Sequence, residues 1–357
     1  MRNWPKWSDI ASVWLLTEIL FCQHPCGWTL RLRASLVYVT WFEELTKRDI
    51  ALAGGKGANL GEMACAGLPI PPGFVVTSQA YQHLLKENRT RRDLARLLGK
   101  IEVDDQEQLK LQSNRIRDII MKCRVPVSIN DAILGNYKKL SEHATPPVFV
   151  AVRSSATAED LSGASFAGQQ DTYLNVCAED LISSVQRCWS SLFTPRAIFY
   201  REKRGFDHNR VSMAVIVQKM INADKAGVMF TVNPVTCEEN QIIIEAVWGL
   251  GEGVVSGTIT PDHYVIDKNA GKIVTAVVAS KRIMFVRDET TGKTIETKVP
   301  QEKVDAQILT EQELRMLVEL GNQVERHYGQ PQDVEWAIER ENVYLLQSRP
   351  VTGLKKT

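Results

Sequence analysis

The sequence is poor in the features that mark secreted, zinc-binding and nucleic-acid-binding proteins. Its seven cysteines form no C-x-x-C pair, and Cys22 and Cys26 have no matching histidine or cysteine set downstream, which argues against a disulfide framework and structural zinc. The formal net charge is only +1, so charge gives no support for a nucleic acid or an anionic membrane as partner. We therefore expect a protein of the reducing cytoplasm with no nucleic-acid or membrane partner.

Long hydrophobic runs are also missing. The apolar stretch at residues 10–21 contains Glu18 and is too short to span a bilayer. It lies in a segment, residues 1–36, whose composition differs from that of the rest of the chain. We expect this segment to be a poorly ordered leader without a part in function, and a signal peptide is the alternative.

The remaining residues are numerous enough for a substantial core, and their composition is that of a globular protein. Hydrophobic residues make up 44% of the sequence and charged residues 24%. A chain of 357 residues is expected to divide into two lobes. We place them at residues 37–217, with a helical insert, and 218–352, followed by a short tail at 353–357.

A strand pattern near the end of the sequence carries the strongest sign of chemistry. Val334, Trp336 and Ile338 alternate with other residues, which is the period of a half-buried strand. Residues 340–342 break the pattern and predict a three-residue hairpin loop, in which Asn342 tolerates the left-handed conformation. The register then pairs four sets of residues: Asp333 with Arg349, Glu335 with Gln347, Trp336 with Leu346, and Ile338 with Tyr344.

This register gives the hairpin one apolar face and one polar face. The polar face holds two carboxylates, an amide and a guanidinium within reach of one another, because partners on neighbouring strands lie ~5 Å apart. Hard oxygen ligands of this kind suit Mg²⁺, which takes its remaining ligands from water and phosphate. Arg349 adds a planar fork for phosphate oxygens. The alternative is a surface hairpin with a solvated charged face.

A glycine-dense segment, residues 53–61, opens a helix that is predicted to run to about Ala66. Glycines let backbone N–H groups approach an anion closely, and the start of a helix favours negative charge. Lys56 would add a positive charge at that point. The spacing is not that of a Walker A loop, and a turn that serves only packing is an equally good interpretation.

A second candidate for phosphate binding lies at residues 148–176. A buried strand at 148–152 is predicted to present Arg153 at its carboxyl end, before a long loop of small residues. Loops of this length between strands are uncommon unless they cover a ligand, and Arg153 is suited to clamping a phosphate. The alternative is a structural loop in which Arg153 pairs with Glu159 or Asp160.

Three further residues are expected at the same cleft. The nearly continuous apolar run at residues 211–220 predicts a strand buried on both faces. Gln218 and Met220 end it at the expected junction of the lobes, where ligands tend to bind. Glu245 is predicted to end another strand just before a glycine turn, residues 249–253, and to face this cleft.

Several motifs together resemble those of one family of enzymes. They are GGKGANLGEM, PPGFVVT, VRSSATAEDLSGASFAGQQDTYLNV, IEAVWGLGEGVVSG and QDVEWAIE…LLQSRPV. In this order, from about residue 37 to 352, they are similar to the nucleotide-binding domain of phosphoenolpyruvate synthase. Pyruvate phosphate dikinase and rifampin phosphotransferase share that domain.

The resemblance implies an α+β fold of the ATP-grasp type, in which two lobes enclose ATP and Mg²⁺ lies between carboxylates and phosphates. It implies these roles: Lys56 and Arg153 on the phosphates, Glu335 and Gln347 on metal and phosphate, Arg349 along the polyphosphate, and Gln218 and Met220 beside the adenine. Asp333 and Glu245 complete the expected nucleotide site. Catalysis would rest on positioning and charge neutralisation by Lys56, Arg153 and Arg349.

The sequence departs from the full-length enzymes of this family after the hairpin. Those enzymes carry a mobile domain with a phosphorylatable histidine and a barrel domain that binds pyruvate, whereas this sequence ends at Thr357, and none of its six histidines lies in a recognisable phosphohistidine motif. We therefore expect a phosphotransferase of the pyruvate, water dikinase type that runs a half-reaction. It would cleave ATP to AMP and pass a pyrophosphoryl group to a histidine on a phosphohistidine-domain protein supplied in trans. The alternatives are a nucleotide-binding module or truncated fragment without transfer activity, and the nucleotide domain of a rifampin phosphotransferase.

Overall fold

The structure is a computed structural model. It describes residues 36–142, 148–157, 171–208, 211–352 and 354 with their side chains, and residues 20–24 and 27–31 by their backbone. The chain separates into two units, Met1–Val37 and Tyr38–Thr357. In the first unit, strand β1 (Leu20–His24) pairs antiparallel with β2 (Gly27–Arg31). The expectations of a poorly ordered leader and of a short tail concern residues that lie mostly outside the described ones.

The described part of the second unit combines helices with antiparallel strands. Its strands are β3 (Val39–Trp41), β4 (Gly73–Val76), β5 (Val150–Ala156), β6 (Thr172–Val176), β7 (Met213–Lys219), β8 (Lys225–Phe230), β9 (Gln241–Trp248), β10 (Asp262–Asp267), β11 (Ile273–Val277), β12 (Ile283–Arg287), β13 (Thr294–Lys298), β14 (Gln332–Glu339) and β15 (Asn342–Pro350). Its helices are α1 (Ile50–Cys65), α2 (Ser78–Glu87), α3 (Arg91–Leu98), α4 (Gln106–Lys122), α5 (Val127–Ser141), α6 (Ala178–Ser191), α7 (Pro195–Lys203), α8 (Glu252–Val255) and α9 (Glu311–Tyr328).

These strands form two larger sheets and a separate pair. The first sheet has five strands in the order β3-β4-β7-β5-β6, and the second has six in the order β11-β10-β9-β8-β14-β15. Both are antiparallel throughout. Strands β12 and β13 form the separate pair. Helices beside antiparallel sheets confirm the predicted α+β class.

Strand β7 lies at the centre of the five-stranded sheet, as its apolar sequence predicts. Every position from Met213 to Gln218 is buried, which confirms a strand covered on both faces. On one face, Val215 packs with Trp189 in a core formed with helices α2–α7. On the other face, Ile216 belongs to a second core, which also contains residues of α1, α9 and the six-stranded sheet.

Helix α9 begins and ends where its sequence indicates. Thr310 and Glu313 form a capping box at its start, and Gly329 adopts a left-handed conformation with φ 68° at its end. Leu317 and Val324 face the second core and are fully buried. The capping box and the left-handed glycine therefore set the two ends of the helix.

The glycines of α1 bring its backbone against strand β5. Gly54 has φ 68° and ψ 171°, which divides the helix at a kink. A Cβ at Gly54 would lie 2.2 Å from the carbonyl oxygen of Ser155. The Ser155 hydroxyl accepts a hydrogen bond from the Gly57 N–H (3.1 Å) and donates one to the Ala53 carbonyl (2.9 Å). This part of the glycine segment therefore has a packing role, the alternative that the sequence left open.

Two strand ends predicted from the sequence are wrong. Strand β5 continues to Ala156, so Arg153 lies inside the strand and not at its end. The serines that come after Arg153 remain in the sheet because their backbones pair with Val215 and Ala214 of β7, and the Ser154 hydroxyl also donates to the Asp171 carbonyl at 3.1 Å. Strand β9 continues to Trp248, so Glu245 also lies within a strand, since residues 246–248 pair with β8.

Among the described residues, no helix combines the length and the hydrophobicity that a membrane span requires.

Two glycine-to-alanine changes test the close contact of α1 with β5. Gly54→Ala would place Cβ against the Ser155 backbone in a conformation reserved for glycine, so we expect a loss of about 3 kcal/mol or more in the free energy of unfolding. Gly67 also has a positive φ, 70°, but nothing lies within 4 Å of its Cβ position. Gly67→Ala should therefore cost about 1 kcal/mol. Urea unfolding measures both, and equal losses would show that the contact with Ser155 is unimportant.

Candidate functional site

A cleft of about 270 Å³ lies between the two sheets. The five-stranded sheet contributes Ala151, Arg153, Thr172, Leu174, Gln218 and Lys219. Met220 and Ile221, directly after β7, also line the cleft. The six-stranded sheet and the segment around α8 contribute Ala226, Gly227, Leu250, Gly251, Glu252, Val255, Ser256, Glu335, Trp336, Ala337, Leu346 and Gln347, with Ala223 just before β8. The lining is mostly apolar, with a few charged and amide groups, which is usual for a small-molecule site.

Arg153 is the main cationic group that connects the sheets across this cleft. Its side chain is 12% exposed, and one terminal nitrogen lies 3.8 Å from the Glu335 carboxylate. The other terminal nitrogen donates to the Leu346 carbonyl at 3.2 Å. Its Nε lacks a hydrogen-bond acceptor among the described residues. The guanidinium is thus held beside a carboxylate with part of its donor capacity unused.

The hairpin of β14 and β15 places Glu335 opposite Gln347 and Asp333 opposite Arg349. Both predicted pairs are confirmed. Since opposed residues of neighbouring strands share a face, all four side chains lie on one side of the sheet. The Arg349 guanidinium donates to Asp333 through Nε (2.9 Å) and lies 2.7 Å from it through a terminal nitrogen.

The other two predicted pairs are wrong. Trp336 lies opposite Leu345, and Ile338 opposite Val343. The turn is tighter than expected, because Glu339 pairs with Asn342 and Arg340, not Asn342, takes the left-handed conformation with φ 58°. A register shift between Glu335 and Trp336 then adds one residue to β15.

The extra residue is Leu346, and it matters for the site. A bulge removes a residue from the regular ladder and re-aims the strand next to it. Here the bulge restores the pairing of Glu335 with Gln347. The carbonyl of Leu346 accepts the hydrogen bond from Arg153. The apolar face is nevertheless as predicted, since Val334, Trp336 and Ile338 are fully buried.

The polar row continues across the six-stranded sheet. Val228 of β8 lies opposite both Glu335 and Glu245, so the two carboxylates lie on the same face with one strand between them. His263 lies opposite Glu245, and its Nδ1 is 3.5 Å from that carboxylate. Glu245 therefore faces the site side of the sheet although it does not line the cleft.

The surroundings of Asp333 raise the pKa of its carboxyl group. Burial raises the pKa of Asp333, and the nearby charges of Glu335 and Glu245 raise it further, while Arg349 opposes the rise. The net direction is upward. Burial thus favours the neutral form of the Asp333 carboxyl even though Arg349 is paired with it.

The cleft collects five of the residues predicted from the sequence: Arg153, Gln218, Met220, Glu335 and Gln347. Asp333 and Arg349 lie next to it as a pair on the hairpin. Lys56 is half-buried on α1, one residue before Gly57, and does not line the cleft. The side chain of Gln218 is 2% exposed and donates to the Pro71 carbonyl at 3.2 Å.

Two groups that line the cleft were missed from the sequence. One is Lys219, which lies between two predicted residues and carries a charge that was overlooked. The other is the segment 249–256, which includes α8. The glycine turn at residues 249–253 is the sequence feature that could have pointed to this segment. In the structure, Gly249 has φ 73° and closely approaches the backbone of Phe285.

The fold and the cleft define an α+β protein that offers donors for an anion beside oxygen ligands for a cation. A family profile described as the AMP/ATP-binding domain of pyruvate phosphate dikinase matches residues 50–357. The chain belongs to this family, and the resemblance seen in its motifs is confirmed.

Individual relatives agree with this assignment. A probable phosphoenolpyruvate synthase of Methanocaldococcus jannaschii is 51% identical over 90% of this chain and 27% of its own length. One of Methanothermobacter thermautotrophicus is 50% identical over 96% of this chain and 50% of its own length. A rifampicin phosphotransferase of Bacillus cereus is 40% identical over 89% of this chain and 36% of its own length. The chain thus spans half or less of these relatives.

The raised pKa of Asp333 predicts a pH dependence of stability. Between the ordinary and the raised pKa, the folded protein binds more protons than the unfolded chain, so its stability falls as pH rises. Asp333→Asn removes the titrating group, and we expect wild-type stability to decline relative to this variant as pH rises above about 4, the ordinary pKa of an Asp side chain.

Urea unfolding in chelator, at several pH values, measures this difference. A difference that stays constant with pH, or a wild type that gains on the variant as pH rises, would contradict the raised pKa of the buried Asp333 carboxyl.

Proposed function

We propose that the cleft binds ATP together with Mg²⁺ and that the chain is the nucleotide-binding part of a phosphotransferase. The observation that carries this proposal is the meeting of Arg153, from one sheet, with Glu335 and Gln347, from the other, in one largely apolar cleft. A nucleotide needs this combination, since its base is flat and weakly polar and its phosphates are anionic. The description of the family as an AMP/ATP-binding domain supports the same conclusion.

The five-stranded sheet with its helices and the six-stranded sheet would act as the two lobes of an ATP-grasp fold. The boundary expected between residues 217 and 218 falls inside β7, so the first lobe would extend to Lys219. Met220 and the small apolar residues near Ala151 and Ala226 would contact the adenine. Gln218 would contribute mainly through its strand, because its amide is bonded to Pro71. Arg153 would bind the phosphates, and Lys56 and Arg349 would approach them from α1 and the hairpin.

The donor set fits a hard cation such as Mg²⁺. Glu335 and Gln347 offer a carboxylate and an amide oxygen from directly opposed positions, and oxygen ligands are those Mg²⁺ prefers. Asp333 and Glu245 lie on the same face of the sheet, which adds two further carboxylates near these ligands. Bound Mg²⁺ would neutralise phosphate charge, while Arg153 orients the polyphosphate and Asp333 holds Arg349 in place.

The reaction we propose is the first half of the phosphoenolpyruvate synthase cycle. A histidine nitrogen on another domain or chain attacks the β-phosphorus of ATP, the bond from that phosphorus to the α-phosphate oxygen breaks, and AMP leaves. The pyrophosphoryl group is then on the histidine. Positioning and charge neutralisation would supply most of the catalysis.

Two other functions share the nucleotide site. The Bacillus cereus relative is a rifampicin phosphotransferase, so an antibiotic is the second candidate for final acceptor. A module that binds ATP without transfer is the third. Release of AMP from ATP in the presence of an added phosphohistidine domain distinguishes transfer from binding alone. The two transferases are distinguished by which phosphohistidine domain supports this release, that of a phosphoenolpyruvate synthase or that of a rifampicin phosphotransferase.

Isothermal titration with ATP, in the presence and absence of Mg²⁺, tests the site directly. We expect binding that needs Mg²⁺, and Glu335→Gln should weaken it ten-fold or more, ~1.4 kcal/mol, because the variant removes a charge that balances the metal. The matched control is Glu341→Gln, the same chemical change at an exposed turn position of the same hairpin. It should bind like the wild type. A folded protein without measurable ATP affinity, or equal effects of both variants, would refute the proposal.

A further inference from the structure

The hairpin of β12 and β13 belongs to neither sheet, yet it contacts both sides of the cleft. Its two strands are joined by a turn that contains Thr291 and Gly292. None of its residues lines the cleft. Its contacts on each side connect it to the two walls of the cleft.

On the side of the six-stranded sheet, the hairpin holds the segment that carries α8. The Leu250 N–H donates to the Phe285 carbonyl at 2.8 Å, and Gly249 forms a bridge with Phe285. A Cβ at Gly249 would lie 2.2 Å from that carbonyl oxygen. A Cβ at Gly253 would lie 3.2 Å from the Phe285 ring. At Gly249, a side chain would collide with the backbone of β12, so the segment lies this close because that residue is glycine.

On the side of the five-stranded sheet, the hairpin contacts Phe149, just before β5, and Asn175, near the end of β6. The Arg287 guanidinium lies 4.7 Å above the centre of the Phe149 ring. A Cβ at Gly292 would be 2.6 Å from the same ring, so the turn lies flat against it. Asn175, which is buried, donates from its side-chain amide to the Thr294 hydroxyl at 2.9 Å.

On each side, the hairpin contacts a residue that lines the cleft or one that is hydrogen-bonded to such a residue. The Phe149 carbonyl accepts from the Met220 N–H at 2.9 Å, and Met220 is in the cleft wall. On the opposite side, Leu250 is itself in the wall. The hairpin therefore connects the two walls by a path that runs outside the cleft.

We propose that the β12–β13 hairpin is a strut that fixes the width of the cleft, with Arg287 and Thr294 as positioning residues for the nucleotide. This inference rests on the proposed function for its effect on nucleotide and on geometry alone for the strut. The contacts with the five-stranded sheet described here are those of Arg287 and Gly292 with the Phe149 ring and one hydrogen bond from Asn175. Strands β12 and β13 are at most half-buried along their length. Such contacts open locally at little cost to the global fold, so the strut controls the cleft and not the folding of the protein.

Four variants test the strut. Arg287→Ala removes the contact with Phe149, and Thr294→Val removes the hydroxyl with little change of shape. Arg287→Lys keeps a cation over the ring and should restore most of the wild-type behaviour. Glu296→Ala, at an exposed position of β13, is the matched control.

Two measurements are made on each variant. In nucleotide-free protein, hydrogen exchange of the Met220 and Leu250 amides should be ten-fold faster or more in Arg287→Ala and Thr294→Val, with the lysine variant and the control near wild type. With Mg²⁺ and a fluorescent N-methylanthraniloyl ATP, the dissociation rate should rise five-fold or more in the same two variants. The midpoint of thermal unfolding should change little.

The outcomes separate the strut from the proposed function. Unchanged exchange at both amides, or equal effects in the Glu296→Ala control, would overturn the strut whatever the nucleotide result. Faster exchange together with an unchanged dissociation rate would overturn the positioning role. A wild type that does not bind the fluorescent ATP would refute the proposed function, and the exchange measurement would still decide whether the hairpin holds the walls.

Discussion

The backbone of α1 lies against β5 at a distance that only glycine permits, and the arrangement of the second core depends on that contact. Ser155 bonds to both sides of the kink at Gly54, so α1 is fixed on the face of the five-stranded sheet that carries Ile216. The six-stranded sheet packs into the same core through residues such as Trp336. A larger residue at the kink would separate the layers, and the cleft between the sheets would lose its shape.

The cleft itself depends on one local irregularity in a strand. The bulge at Leu346 keeps the polar side chains of the hairpin in register and gives Arg153 a carbonyl to bind. Arg153 is thereby held beside Glu335 by two different kinds of contact, while Asp333 and Arg349 neutralise each other nearby. The strut on the outside of the cleft would then hold the two walls at a constant separation.

The sequence predicted most of the polar hairpin because alternation and charge are local signals. Glu335 with Gln347 and Asp333 with Arg349 were predicted from the alternation and a three-residue loop. That loop is wrong, and the two pairs hold because the bulge at Leu346 adds back the residue that the tighter turn removes. The two-residue turn and the bulge were not, because Arg340 in a left-handed conformation is decided by packing that the local pattern does not contain. The strand positions of Arg153 and Glu245 were missed for a related reason, since the pairing with β7 and β8 extends both strands. Glycine in α1 was ambiguous between anion binding and packing, and only the position of Ser155 in space distinguishes the two.

An experimental structure with a non-hydrolysable ATP analogue and Mn²⁺ in place of Mg²⁺ tests the central claim most directly. The anomalous signal of Mn²⁺ locates the metal independently of the nucleotide. We predict a peak within coordinating distance of the Glu335 carboxylate and the Gln347 amide oxygen, with the phosphates in reach of Arg153 and the base against Met220. A nucleotide bound away from this cleft, or a metal peak with no contact to Glu335, would contradict the account.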